Sequence, residues 1–156
     1  MISRFFFEDH REIDALFNRL RRELGESQGA PESDSTLLAE SFQTLDERLE
    51  RHIRREEEVL FPAVEGKAPD LAHGPGSVLR SEHQQIRSYM SEIRDAFGVS
   101  ELDDGVRQGI QDALRAVESL LGEHNEKEET VYYPLCDSLL TEEEAALVLD
   151  QVREGQ

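Results

Sequence analysis

Residues 52–62 (HIRREEEVLFP) and residues 124–134 (HNEKEETVYYP) follow one pattern. Each stretch begins with a histidine and has glutamates four and five positions after it and a valine seven positions after it. An aromatic residue stands directly before the proline that ends each stretch. Agreement at so many positions goes far beyond what a shared helical composition produces. We therefore interpret the two stretches as copies of one structural unit.

The duplication extends upstream of both stretches. The segment Asp9-His10-Arg11-Glu12-Ile13 parallels Glu82-His83-Gln84-Gln85-Ile86. His10 and His83 are 73 positions apart, and His52 and His124 are 72 positions apart. The chain is thus predicted to consist of two related helical hairpins, at about residues 3–66 and 76–140.

The spacing of apolar residues predicts helices throughout. Four long segments carry apolar residues three and four positions apart, and no segment alternates as a strand does. Clusters of Gly, Pro and Ser at 25–33 and 66–76 predict the loops, and Pro62 and Pro134 are expected to end or bend their helices. The predicted inward stripes include Val59, Val78 and Val131.

Capping signals complete this assignment. Ser100 with Asp103 predicts the start of the fourth long helix, and Thr141 with Glu144 predicts a capping box for a short C-terminal helix at about 141–153. Short loops between long helices favour antiparallel neighbours. The predicted fold is therefore all-α: an up-down-up-down antiparallel four-helix bundle built from two duplicated hairpins, with a short C-terminal helix.

Histidine and glutamate residues at helical spacing predict a site inside this bundle. Residues four positions apart are displaced by about 40° around a helix and about 6 Å along it, so each His-x3-Glu pair directs two donor groups to one point. Apolar residues at helical offsets from each histidine indicate that the histidines point inward. The candidate ligands are four imidazoles and two carboxylates: His10, His52, Glu56, His83, His124 and Glu128.

A metal cluster is the simplest way to bury these groups. Imidazoles and carboxylates in an apolar interior are costly unless they are paired or neutralised. Carboxylates can bridge two ions while imidazoles bind each one, and a donor set of nitrogen and oxygen without thiolate suits iron, manganese or zinc. Six ligands shared by two ions also leave coordination positions open for reactive small molecules.

These residues resemble the motif of hemerythrin-like proteins of the HHE cation-binding family. The motif is a histidine followed by His-x3-Glu, repeated in two hairpins, and the resemblance covers about residues 3–140. It implies a non-haem di-iron centre in a four-helix bundle, with Glu56 and Glu128 bridging the irons and the four histidines terminal. Iron is thus expected over manganese or zinc.

Two departures separate the chain from the oxygen-carrying members of that family. The carriers resemble this pattern but have five histidines, with a His-x3-His pair on the third helix, whereas here Leu79 and Arg87 flank His83 at that spacing. They also have an aspartate where Glu129 stands. The resemblance therefore implies a more open His4Glu2 site with redox, sensing or metal-handling behaviour.

Three functional hypotheses follow from this pattern. The first is a di-iron protein that binds, senses or reduces oxygen, peroxide or nitric oxide; whether it turns over as an enzyme is left open. The second is an iron-handling or iron-sensing protein, including one that repairs iron centres, without turnover. The third is a structural bundle with packed histidines and no metal.

Acidic residues next to the motif are assigned to a solvated face. Glu57, Glu58 and Glu129 belong to acidic runs, which usually face solvent. Asp14 lies four positions after His10, but its counterpart in the second half is Arg87, so we expect it at the surface or hydrogen-bonded to a ligand histidine.

Four further residues are not among the predicted ligands. Tyr132 lies about 80° from the direction of His124 and is a candidate to line the pocket, while its neighbour Tyr133 is expected mainly to pack. His73 reads as a surface histidine. Cys136 is expected near the bundle end, with a redox role as an alternative.

Composition narrows the partners and the compartment. The 156 residues, 17.8 kDa, fit one domain at 1–156. Thirty-five Asp and Glu against 17 Lys and Arg give a net charge of -18, which disfavours nucleic acid and anionic membranes. The single cysteine and the lack of a signal-like start favour a reducing cytoplasm.

Overall fold

The computed structural model describes residues 1–26, 33–99 and 101–155, and this part of the chain is helical with no strand. Short π-helical turns span Glu56–Leu60 and Glu128–Tyr132, and a 3-10 turn spans Pro69–Ala72. The helices are α1 (Ile2–Glu26), α2 (Ser33–Arg55), α3 (Phe61–Lys67), α4 (Pro75–Phe97), α5 (Asp104–Lys127), α6 (Tyr133–Leu139) and α7 (Glu142–Glu154).

The four long helices form the predicted bundle. Helix α1 packs against α2 and α5, and α4 packs against the same two helices, so the four close into one ring. Helix α6 packs on α1, while α7 lies against the first π-helical turn. The predicted all-α bundle with an additional C-terminal helix is confirmed, and no described helix is long and apolar enough to cross a membrane.

A side-chain cap begins α7 where the sequence predicts, while Asp103 caps α5, three residues after the predicted cap at Ser100. The carboxylate of Asp103 accepts a hydrogen bond from the backbone N–H of Val106, which satisfies one free donor of the first turn of α5. Thr141 and Glu144 form a reciprocal capping box at α7. The proposed contribution of Ser100 and most of the loop at 25–33 lie outside the described residues.

Neither of the two prolines ends its helix. The backbone N–H of Phe61 donates to the carbonyl oxygen of Glu56, five residues back, and Tyr133 makes the same bond to Glu128. This wider turn places Pro62 and Pro134 in the first turn of the next helix, where a missing N–H costs nothing. The helical path therefore continues past each proline, with one extra residue inserted in a single turn. The insertion falls at the same place in both halves.

The inserted residues correct the predicted apolar stripes. Val131 is 60% exposed, because the π-helical turn rotates it away from the axis that a regular α-helix would keep. Val59 is only partly buried at the matching position. Val78 is also wrongly assigned to the interior, being 51% exposed one residue before the buried Leu79.

The apolar interior is divided into two clusters. One runs along the four long helices from Ile13, Leu49, Ile86 and Leu121 away from the π-helical turns. The other packs α3, α6 and α7 around the start of α1. The four predicted histidines come from the stretches of chain that pass from one cluster to the other, so the fold holds a polar layer between two apolar ones.

Candidate metal centre

The structure brings all six predicted side chains together in this polar layer. Helix α1 supplies His10, α2 supplies His52, α4 supplies His83 and α5 supplies His124, while each π-helical turn begins at one of the glutamates. Their exposed fractions are at most 2% for the histidines and 0% for Glu56 and Glu128. Burial this complete for six ionisable groups demands a partner for each.

The six side chains form two overlapping groups of four. His10 and His52 form one group with Glu56 and Glu128, and His83 and His124 form the other with the same two glutamates. Within each group the donor atoms all lie within 4.8 Å of one another. Both carboxylates thus face both histidine pairs, which is the arrangement that two bridged ions require.

Each histidine directs its Nε2 atom toward a shared carboxylate. The Nε2 atoms of His83 and His52 lie 3.1 and 3.5 Å from Oε2 of Glu56. Those of His124 and His10 lie 2.9 and 3.5 Å from Oε1 of Glu128. Donors bound to one ion at about 2.1 Å in right-angle positions stand roughly 3 Å apart, so the spacing fits a metal.

Unpartnered buried atoms support the same fit. The Nε2 of His52, Oε2 of Glu56 and both carboxylate oxygens of Glu128 make no aligned hydrogen bond. The Nε2 atoms of His83 and His124 face each other at 3.0 Å, although two neutral lone pairs there would repel. Bound metal ions accept these lone pairs, so the donor set fits a metal.

A carboxylate lies behind each histidine, on its Nδ1 side. Two of these belong to the residue after each predicted ligand glutamate: Glu57 is 2.9 Å from Nδ1 of His83, and Glu129 is 2.7 Å from Nδ1 of His10. Each of them therefore crosses to the histidine of the other half. An Nδ1–H that donates to a carboxylate leaves the Nε2 lone pair free for a metal.

The other two carboxylates precede the upstream histidines. Asp9 lies 3.2 Å from Nδ1 of His52, and Glu82 lies 3.8 Å from Nδ1 of His124, which is a charge contact longer than a hydrogen bond. The duplication therefore repeats the carboxylates as well as the histidines. The support on the His124 side is the loosest of the four.

Cations hold three of these four carboxylates in place. Arg48 and Arg55 donate to Asp9. Arg87 donates to Glu57, and Lys127 donates to Glu82.

The fourth carboxylate, Glu129, differs from the others. Among the described residues its ion-pair partner is His10, with no lysine or arginine within ion-pair distance, and its side chain is 31% exposed. Glu129 is therefore held by its 2.7 Å contact to His10 without support from a lysine or arginine.

The metal-free site holds protons at neutral pH. Burial opposes charge on His10 and His83, but the adjacent carboxylates of Glu128 and Glu56 respectively outweigh it and raise the pKa of each to about 9. Burial lowers the pKa of His52. Burial also pushes the pKa of Glu128 upward, yet the charge of His124 and its other contacts hold that pKa well below its usual range.

Tyr133 occupies the place that the sequence assigned to Tyr132. Its Oη donates to Oε1 of Glu56 over 2.5 Å and lies 3.0 Å from Nε2 of His10. In a regular α-helix residue i+5 points about 140° away from residue i, but the π-helical turn returns Tyr133 to the face of Glu128. Tyr132 packs instead on Phe61, with its Oη buried and unpartnered.

This tyrosine makes the two halves of the site unequal. Phe61 is the counterpart of Tyr133 in the first hairpin, and its ring lies parallel to that of His83 with centroids 5.9 Å apart. One histidine pair thus faces a phenol and the other a hydrocarbon ring. Burial and the charges of Glu128 and Glu56 raise the pKa of Tyr133 well above 10, so the phenol keeps its proton.

The remaining sequence assignments divide between correct and wrong. Glu57 and Glu129 are not simply part of a solvated face, because both contact ligand histidines; the signal that identifies them is their repetition in both halves. Glu58 is exposed as predicted, with 59% of its side chain accessible. Asp14 and His73 are at the surface, and Cys136 is a buried free thiol.

The match to a family model agrees with this geometry. The model for the hemerythrin HHE cation-binding domain matches residues 1–136. The chain therefore belongs to this family, as its repeated motif predicts. The match includes all six predicted site residues.

The chain is similar in sequence to the iron-sulfur cluster repair protein YtfE of Edwardsiella ictaluri (strain 93-146). It is 35% identical to this chain over 57 residues. The aligned part is 36% of this chain and 26% of the relative, so the similarity spans about a quarter of that protein's length.

Proposed function

We propose that this protein is a non-haem di-iron protein that binds, senses or reduces oxygen, peroxide or nitric oxide. The observation that carries the proposal is the sharing of Glu56 and Glu128 between two pairs of buried histidines. Two shared carboxylates favour two ions rather than one. His10 and His52 would hold one iron, and His83 and His124 the other.

The donor count favours a reactive centre over a closed one. Four histidines and two shared carboxylates give each ion four protein donors, which leaves positions free for an added ligand. When bound, the irons supply electrons and Lewis acidity. Manganese and zinc fit the same donors, but membership in the family favours iron.

Tyr133 gives the site a proton at a defined atom. Its neutral Oη lies beside Glu56 and His10, on the side of the first histidine pair. Reduction of peroxide to water consumes two electrons and two protons, so a buried donor at this position favours reaction there. Glu129 and Glu57 orient His10 and His83 for metal binding.

The second candidate function is iron handling or the repair of iron centres without turnover. Its support is the similarity to the iron-sulfur cluster repair protein. In that case metal occupancy itself would be the functional event. The single buried cysteine suits the reducing cytoplasm that we propose for either function.

Metal analysis with an optical spectrum tests the proposal. The expected stoichiometry is two irons per chain, with a charge-transfer band of a bridged di-iron centre after exposure of the reduced protein to air or peroxide. Iron that is bound but unreactive would select the handling function. Folded protein that binds no metal would refute both.

Paired variants test the bridging assignment. Glu56→Gln removes a shared carboxylate and is expected to reduce bound iron to one ion or none. Glu58→Gln makes the same chemical change two positions away at an exposed side chain, and it is expected to retain both ions. Equal iron content in the two variants would contradict the assignment.

A further inference from the structure

A groove of about 460 Å3 lies between α1 and α5, and Glu129 is among the residues that line it. Its walls include four carboxylates and one arginine. These charged residues are Asp14, Glu118, Glu126, Glu129 and Arg21. The groove is thus strongly negative, although Arg21 lies 3.6 Å from Glu118.

Glu129 connects this groove to the metal centre. It lines the groove while accepting a hydrogen bond from Nδ1 of His10. The other three supporting carboxylates are held by lysine or arginine, and Glu129 is not. A cation in the groove therefore meets, in Glu129, a carboxylate that also contacts a predicted ligand histidine.

Asn125 adds a buried amide oxygen to the groove. This residue also lines the groove, is only 8% exposed, and follows His124 directly in the sequence. Its side-chain oxygen is buried with no hydrogen-bond partner. An unpaired amide oxygen in a groove lined by carboxylates is a donor that a divalent cation would satisfy.

The charges in the groove are incompletely compensated. Burial, together with the negative charge of Asp14, raises the pKa of Glu118 despite the nearby Arg21. A cation in the groove would relieve this repulsion.

We propose that this groove is the route by which Fe(II) reaches the metal centre, with Asp14, Glu118, Asn125 and Glu129 as a weak outer site. The inference rests on the proposed iron function. Oxygen donors alone bind divalent ions loosely, whereas the inner site adds imidazoles and holds transition metals more tightly. Fe(II) is therefore expected to bind more tightly at the inner histidine site than in the groove, which favours its transfer inward.

The test is the rate of Fe(II) uptake by metal-free protein under anaerobic conditions, followed in a stopped-flow instrument by tyrosine fluorescence. Tyr133 lies in the site, and the chain has no tryptophan. The variant Asp14→Asn with Glu118→Gln removes two groove charges and no predicted inner ligand. The control, Glu92→Gln with Asp95→Asn, removes two exposed charges on α4.

At low ionic strength we expect the groove variant to take up Fe(II) about tenfold more slowly than the wild type, and the difference to shrink in high salt. The final iron content is expected to be unchanged, and the control is expected to stay within about twofold of the wild type. Equal rates in the groove variant and the control would overturn the route alone. A wild type that binds no Fe(II) would overturn the proposed function instead.

Discussion

The phenol of Tyr133 donates a hydrogen bond to the carboxylate of Glu56, which comes from the other half of the duplicated chain. Both side chains are fully buried. The bond exists because a π-helical turn shifts Tyr133 by one residue relative to a regular helix. The same turn in the first half places Phe61 against His83, so one inserted residue per half brings both rings into the lining, and the difference between Tyr133 and Phe61 makes the two halves unequal.

Tyr133→Phe is expected to slow the reaction of the reduced, iron-loaded protein with peroxide by about tenfold or more, because the buried proton donor is lost. Iron content is expected to stay the same, since the phenol is not one of the six predicted ligands. The measurement is the stopped-flow rate of oxidation at matched iron content. Tyr132→Phe removes the unpartnered neighbouring hydroxyl and serves as the control; equal slowing in both variants would refute a specific role for Tyr133.

Glu57→Gln is expected to weaken metal binding by about tenfold to a hundredfold, because His83 loses the charged acceptor that orients its ring. Competition with a chelator of known affinity measures the change. Glu58→Gln, an adjacent change at an exposed carboxylate, is expected to bind metal like the wild type. An unchanged affinity in Glu57→Gln would show that the contact with His83 has no effect on the metal.

Metal-free protein is expected to lose stability as the pH rises from about 6.5 to about 9. The folded state raises the pKa of His10 and His83 to about 9 from the ordinary 6.5, so it binds these protons more tightly than the unfolded chain does. Their stabilisation is complete below the unfolded value and disappears as the pH passes the folded value. Thermal unfolding with chelator is expected at a midpoint several degrees lower at pH 8.5 than at pH 6.5.

Metal binding is expected to displace the protons that His10 and His83 hold in the metal-free protein. Loading the site at pH 7 is expected to release protons into solution, since a metal needs the Nε2 lone pairs that the protons occupy. Calorimetry in two buffers of different ionisation enthalpy measures the number released. Loading without proton release would contradict the raised pKa of both histidines.

Removal of the metal is expected to lower the unfolding temperature. An ion at a free concentration about 100 times its dissociation constant stabilises the folded state by about 3 kcal/mol, which corresponds to roughly 5–10 °C for a chain of this size. Differential scanning calorimetry with and without chelator tests this. Glu56→Gln is expected to lose most of the difference, while a wild type with the same midpoint in both conditions would argue against a buried metal.

Several features of the site followed from the linear sequence. The repeated His-x3-Glu pairs and the upstream His10 and His83 predicted the six inward side chains, because helical periodicity fixes which residues share a face. Repetition in both halves also contained the signal for Glu57 and Glu129. Acidic runs usually face solvent, however, and that general tendency gave the wrong environment for these two residues.

The sequence by itself determined the duplication, the all-α bundle and the six donor side chains, since each depends on spacing along one helix or on comparison of two similar segments. Only the tertiary structure decided that Tyr133 rather than Tyr132 faces the site and that Glu57 and Glu129 each serve the opposite half. The physical reason for the first is that a single inserted residue rotates the side chains that follow it by about 100° around the helix axis. The reason for the second is that contacts between distant segments depend on how the four helices pack together.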